Sequence, residues 1–578
     1  MEKPGCVIAG SAVLIVGILG GSFAQCNRAK AAQDQQNAGP APRPVAIVGG
    51  VTIDATGIEN NAQKMAANQQ PNPQDQGLPP SLSLRDQAQN LDTALEASLE
   101  EAANVSLANQ QGISISDADL KSAIAEQVQM DLMVHRSDLA ASLKLPADAT
   151  DADIDAAFKK LGRPSLEELQ EQAEQQQDQR LDDPGFRLTL EAEVAQEKVT
   201  EGLTSRLSPT DAQLKASFDS FTVKRIFIKD RPGKPAQQTA DKVLAQLKGG
   251  MSFEDAIAKY SNDSPPPKTK LADVTTPLTA SDLTPDVAAA FRKLKPGQTT
   301  DALSVRDGLA IYKLVSMKSN PPPDLEKNRD SYAKSYAQEA ARSQFQDLID
   351  KQQKRDQIDW KSDGYKALKQ YFDANSAGGT PTPDQLQKIA DLASNAMQDD
   401  PVGGNAAAIA QYLALDDLYS SAKGAAKTAL LPKLADAIQA VTNQSPDLNV
   451  QLELVDLLLA QKQYDKAADQ LKAVADLNAS PIAGSKQAWD KTEKLVDQLK
   501  KLNQMPAATE KDIANDRQQW QQQYDEAEKQ IAEQKAAEAA AQKAAEAPPK
   551  SAPKPPSGPV KPEEGPATSG KSKSSQKK

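Results

Sequence analysis

Apolar positions first gather in one uncharged block, CVIAGSAVLIVGILGGSF, from Cys6 to Phe23, with Lys3 before it and Arg28 and Lys30 after it. Its 18 residues are at the short end of a membrane-spanning helix, while Ser22 and Ala24 supply small residues for cleavage after Ala24. An export signal and a membrane anchor both fit, and either delivers the rest of the chain outside the cytoplasm. Stretches 27–44 and 66–82, rich in Gln, Asn, Pro and Ala, read as linkers. Between them, Val45–Val48 and Val51–Ile53 are β-type runs around Gly49 and Gly50, which predicts a hairpin leading into a helix from about Ala55.

The period then becomes helical. Leu91, Leu95 and Leu99 repeat at i, i+4, and Leu120, Ile124, Val128 and Leu132 do the same after a start signal at Ser116–Asp119, predicting an amphipathic helix pair. Further helices are predicted from Thr150, from the capping box Ser165–Glu168, over Phe186–Leu203, and from a cap at Ser208 or Thr210. Over Thr222–Ile228 and Leu309–Val315 the period shortens to that of strands, with helical stretches at Ala240–Leu247 and Phe253–Tyr260 between them, so a compact α+β module interrupts the helices. Beyond Trp360 the pattern is helical again, over Tyr365–Phe372, Pro383–Met397, Ala406–Tyr419 and Leu430–Val441. Val450–Leu477, with a turn at Ala460–Tyr464, has the look of one tetratricopeptide-type helix pair; a short α-solenoid and a plain helical bundle both accommodate it. Glu510–Glu546 reads as a solvated polar helix without a sustained apolar heptad.

Composition narrows the chemistry. At 578 residues the chain exceeds one hydrophobic core, and with aromatics at only 4% the balance favours helices over aromatic-rich sheets. A net charge of -12 argues against a nucleic-acid binder, since neutralising phosphates takes a basic face. The exception is Ala547–Lys578, with seven Lys against two Glu among Pro, Ser and Gly, which reads as a disordered basic tail. Two cysteines, Cys6 and Cys26, and one histidine, His135, leave no ligands for structural zinc and no Cys–His nucleophile, so neither a metal nor another cofactor is expected. Asp151, Asp153 and Asp155 imitate a calcium loop, but Ala156 and Gly162 stand where Gly and Glu are needed; they read instead as the acidic start of a helix.

The α+β module resembles the parvulin peptidyl-prolyl isomerases. Lys224–Lys229 (KRIFIK) follows the family's opening strand R-H-I-L-V-K. Gly250, Phe253, Ile257, Tyr260, Ser261 and Asp263 follow its G-x-x-F-x-x-x-A-x-x-Y-S-x-D helix. Ala290, Phe291, Leu294, Lys295, Pro296 and Gly297 follow its A-F-x-L-K-P-G turn, and Gly308, Ile311, Lys313 and Leu314 its closing strand. Both family histidines are replaced, by Arg225 and Ala310, and Lys270–Asp273 stand in place of a Gly-Gly-Asp-Leu-Gly segment. The resemblance leaves Asp263 as the candidate catalytic residue and Leu271, Leu283 and Phe291 as a candidate peptide pocket. Twisting an X-Pro amide faces a barrier of ~18–20 kcal/mol, and without the paired histidines weak or no isomerase activity is expected.

The resemblance widens to the parvulin chaperones of bacterial envelopes, the SurA, PpiD and PrsA types. Val45–Ile53 (VAIVGGVTI) follows their A-x-V-N-G-x-x-I-T opening with Gly49 in the Asn position, and Leu161–Leu169 follows a Gly-x-Ser-x-Glu-Glu-Leu element. It implies a mainly α, multidomain chain: a SurA-N-like helical chaperone domain with an inserted α+β parvulin-like domain and a C-terminal helical, tetratricopeptide-like region. The expected organisation is a signal peptide or anchor at 1–25, a linker at 26–44, the helical domain at 45–207, the parvulin-like domain at 208–319, and a returning helix at 320–375. After these come a helical region at 376–505, a polar helix at 506–546 and the tail at 547–578. The function implied is that of an extracytoplasmic, ATP-independent folding factor whose partners are unfolded exported polypeptides. An active isomerase with an altered site and a membrane-surface scaffold are the alternatives. Leu91, Leu95, Leu99, Ile124, Val128 and Met133 are candidates for a client cradle and equally for ordinary core.

Overall fold

The computed structural model describes residues 42–69, 83–146, 148–229, 236–263, 270, 274–283, 285–305, 308–376, 380–443, 447–479 and 486–546. The expected signal or anchor at Cys6–Phe23 and the basic tail lie outside them. Among the described residues no helix is long and apolar enough to cross a membrane.

Chain order begins with the hairpin β1 (Pro44–Val48) and β2 (Val51–Asp54), followed by α1 (Ala55–Gln69). Helices α2 (Leu84–Gln110), α3 (Asp117–Ser142), α4 (Asp151–Lys160), α5 (Leu166–Gln179) and α6 (Pro184–Arg206) come next. Their starts are set locally: Ser83, Ser116, Thr150 and Ser165 each cap the backbone three residues on, and Asp86, Asp119, Asp153 and Glu168 return the bond as capping boxes. The calcium-like acids are spent on the same structural work. Asp153 is one of those caps, Asp155 accepts from the Leu166 amide at 2.8 Å, and Asp151 pairs with Arg136.

The inserted module runs through α7 (Asp211–Ala216), β3 (Asp219–Lys229), α8 (Ala236–Lys248), α9 (Phe253–Tyr260), β4 (Thr276–Thr279), α10 (Pro285–Arg292), β5 (Leu303–Val305) and β6 (Gly308–Ser319). Its strands form an antiparallel sheet of order β4-β3-β6-β5, and the two long central strands divide its interior. One face buries Ile226, Ile228 and Ile311 against α8 and α9; the other buries Phe221, Val223, Ala310, Tyr312 and Leu314 with Phe291 of α10.

Helix α11 (Arg329–Arg355) then returns to pack on α6 and α2. The short strand β7 (Asp359–Trp360) adds to the hairpin, Ala46 facing Trp360 and Ile47 facing Asp359, so three strands of order β2-β1-β7 join the two ends of the body. Among the described residues, eight helices complete it: α12 (Asp363–Ser376), α13 (Pro383–Asp399), α14 (Gly404–Ser421), α15 (Gly424–Thr442), α16 (Leu448–Ala460), α17 (Tyr464–Asn478), α18 (Lys486–Lys501) and α19 (Ala507–Glu546).

Two features depart from the sequence reading. A single apolar cluster runs from Val45 through α1, α2, α6 and α11 into α12–α19, so the C-terminal helices share the core of the N-terminal ones. In addition, α19 is not solvated along its length. Trp520 and Ile513 are buried, Trp520 against Trp489 of α18 at 6.3 Å and stacked on Tyr524 at 4.7 Å, with the Arg517 guanidinium over both indoles. The isolated aromatics in a polar sequence were the signal for this anchor. Glycine sets one helix crossing: a Cβ on Gly57 of α1 would lie 2.5 Å from the Gly185 Cα of α6.

Candidate functional site

Strand alternation builds the candidate site. Arg225 and Tyr312 face each other across β3 and β6, as do Phe227 and Ala310, and the period of two sends Val223, Arg225, Ala310 and Tyr312 to the same face of the sheet. The chain after α9 is clamped to the end of β3: the Asn262 amide donates to the Phe227 carbonyl at 2.7 Å, the Phe227 amide to Ser261 Oγ at 3.0 Å, and the Lys229 amide to Asn262 Oδ1 at 3.0 Å. This clamp sets Asp263 beside Arg225. Nε donates to Oδ2 at 3.0 Å and Nη2 to Oδ1 at 2.5 Å, a two-pronged pair with the guanidinium 5.6 Å from the Phe227 ring centre.

Of the two candidate positions, Arg225 is therefore joined to Asp263 and Ala310 is sealed. Arg225 keeps 42% of its side chain exposed, whereas Ala310 is wholly buried. Burial works against the charge on Arg225, but its bonds and proximity to Asp263 outweigh it and hold the guanidinium above its ordinary value. Burial also pushes the Tyr312 hydroxyl up. Both groups keep their protons at neutral pH, so neither shuttles one; the network offers fixed donors beside an apolar wall. Tyr312 was missed in the sequence although its distance of two residues from Ala310 places it on the site face.

The three candidate pocket residues sit in different surroundings. Phe291 is fully buried, edge-on to Phe221 at 5.2 Å and to Tyr312 at 5.1 Å, so it is a floor beneath the site and no surface for a ligand. Leu283 is half-buried against the same cluster, and Leu271 lies outside the described residues. On the back of the sheet, Lys224 and Lys313 hold the Glu254 carboxyl down at about 2. His135 sits on α3, 3.8 Å from Asp138, and takes no part in the site.

In the helical body, the cradle candidates Leu91, Leu95, Ile124 and Val128 are core, and Leu99 packs on that core half-buried. Met133 is different. It lies 67% exposed with Met130 at 60% and Val134 at 69%, an open apolar ridge midway along α3. It falls between one cluster that buries Leu120, Ile124 and Val128 and a second that buries Leu139 and Ala140.

An antiparallel sheet with helices on both faces forms a module inserted in a helical protein. Residues 209–330 match the PPIC-type PPIASE domain, and the module is a domain of that family. No curated protein matches this chain. Among solved structures, the chain is similar to the peptidylprolyl isomerase PrsA of Bacillus anthracis, at 18% identity over 39% of this chain and 96% of that one, with a TM-score of 0.22. PrsA of Bacillus cereus matches at 17% identity over 47% and 88%, TM-score 0.21. A structure described under the SurA-like chaperones PEB4 and Cj1289 of Campylobacter jejuni matches at 16% identity over 55% and 98%, TM-score 0.18.

Proposed function

We propose that this protein is an extracytoplasmic, ATP-independent folding factor that holds unfolded exported polypeptides on its helical body, with an inserted parvulin-type domain of weak or no isomerase activity. The observation that carries the reading is the replacement at the domain's centre: an Arg225–Asp263 ion pair and a buried Ala310 stand where the family has its histidines. An isomerase must favour the twisted amide over the planar one, and a guanidinium already matched to a carboxylate has little left to offer it. Binding is supported instead by the Met130–Met133–Val134 ridge, whose flexible thioethers suit many apolar partners. Delivery outside the cytoplasm is supported by the Cys6–Phe23 block, which serves as export signal or membrane anchor.

Two assays run side by side test this. The full chain at equimolar ratio is expected to suppress aggregation of a chemically unfolded protein, and Met130→Ser with Met133→Ser and Val134→Ser is expected to weaken that suppression. Exchange of an X-Pro bond in a model peptide is expected to stay near the uncatalysed rate. Rapid exchange that vanishes in Asp263→Ala would establish the other reading, an active isomerase with an altered site. That reading has one observation in its favour: a guanidinium held in a fixed plane and partly open to solvent.

A further inference from the structure

Helix α2 is the spine of the helical body, packing on α1, α6, α11, α12, α14 and the N-terminal hairpin. Two of its carboxyl groups lie in that packing with unmatched oxygens. Asp92 is buried, and its Oδ1 meets no hydrogen-bond partner among the described residues. The ionisable groups acting on it are Lys369 and Asp373 of α12 and Glu96 of α2 itself. Lys369 is already bonded to Glu96 and to Asp373, so one ammonium serves three carboxyls.

Further along the helix, Glu101 faces α6. The Thr189 hydroxyl donates to its Oε1 at 2.8 Å, while Oε2 is closed off from solvent without a partner among the described residues. The ionisable groups acting on Glu101 are Glu193 of α6 and Glu100 of α2, both negative. Asn104, one turn on, has a buried Oδ1 that also lacks a donor among the described residues. Gln352 of α11 and Asp356, just past its end, bond to Ser106 of α2 and not to Glu101. An ionised carboxylate in either place is a buried charge with too few donors; a protonated one is neutral and supplies a donor itself.

We propose that Asp92 and Glu101 are proton-binding sites that make the packing of α2 against α12 and α6 pH-dependent, the body being tightest in mild acid and loosening as the protons leave. Burial raises both carboxyls to about 7, from 3.8 for Asp92 and 4.5 for Glu101, and raises Glu193 as well. A folded-state pKa above the unfolded one means that the native protein holds protons the unfolded chain has released. Their stabilisation is fully present below about pH 4, declines as pH rises towards about 7, and is absent above that. Within the window each site can change the unfolding constant by up to about tenfold per pH unit. Glu254, held at about 2, acts oppositely but only below the same window.

The test is urea unfolding of the full chain, followed by tryptophan fluorescence between about pH 5 and about pH 8. The wild-type midpoint is expected to fall as pH rises, each of Asp92→Asn and Glu101→Gln to remove part of the dependence, and the double variant to remove most of it while matching wild type in mild acid. A flat wild-type profile, or an undiminished slope in the double variant, overturns the proposal. Stabilisation of wild type by calcium or magnesium in mild alkali, absent from the variants, also overturns it by making these oxygens a cation site. Should the double variant fail to fold, hydrogen exchange across residues 84–110 of wild type replaces it. Protection, corrected for intrinsic rates, is expected to fall between pH 5 and 8, and pH-independent protection counts against the sites.

Discussion

Arg225 and Asp263 belong to different elements, and their meeting depends on three backbone bonds that fasten residues 261–263 to the end of β3. The pair is two-pronged but partly exposed, which places its value near the upper end of surface ion pairs. A double-mutant cycle on Arg225→Ala and Asp263→Ala is expected to give a coupling of about 1 kcal/mol, read from urea unfolding of the module and weakened by salt. The matching of the sequence to the parvulin pattern named Arg225, Ala310 and Asp263 as site positions. It did not reveal that two of them would bond, because a salt bridge across 38 residues depends on where a loop is tied down. Phe291 shows the converse. Its apolar character was plain, but whether an apolar residue lines a pocket or fills a core is decided by what packs over it, here Phe221 and Tyr312.

At the scale of elements, helix starts were the most legible feature, since a capping box is a bond between residues three apart and needs nothing from the rest of the fold. Ser116, Thr150, Ser165 and Thr210 all begin helices as their local sequence demands. Three of the edge strands were not legible: β4, β5 and β7 span four, three and two residues. Helix α19 shows how a polar composition can hide an anchor. Trp520→Ala is expected to cost about 3–5 kcal/mol, measured by urea unfolding, because it removes a fully buried indole from between Trp489 and Tyr524. Truncation after residue 526 is expected to leave the midpoint nearly unchanged, whereas truncation before Ile513 should lower it as much as the substitution does.

For the whole molecule, the module and the body are separate cores joined by few contacts. Phe218 meets Tyr332 edge-on at 5.6 Å, Arg329 binds Asp211 at 2.7 Å, and the module's two apolar clusters are distinct from those of the body. Equilibrium unfolding is therefore expected in two steps. All three tryptophans, Trp360, Trp489 and Trp520, lie in the body, so fluorescence should report one transition where far-ultraviolet circular dichroism reports two. Coincident single transitions by both probes would show that the two cores unfold together. By itself the sequence determined the mostly helical class, the helix starts and the parvulin-like insert, because periodicity, capping and motif spacing are written within a few residues of one another. Only the tertiary structure decided that the C-terminal helices continue the N-terminal core, that Trp360 closes a sheet with Ala46, and that Asp92 and Glu101 each hide an oxygen without a partner among the described residues. Each of these depends on which faces meet across hundreds of residues. Local pattern states that a helix has a face to bury, and the partner that buries it is chosen by the packing of the whole chain.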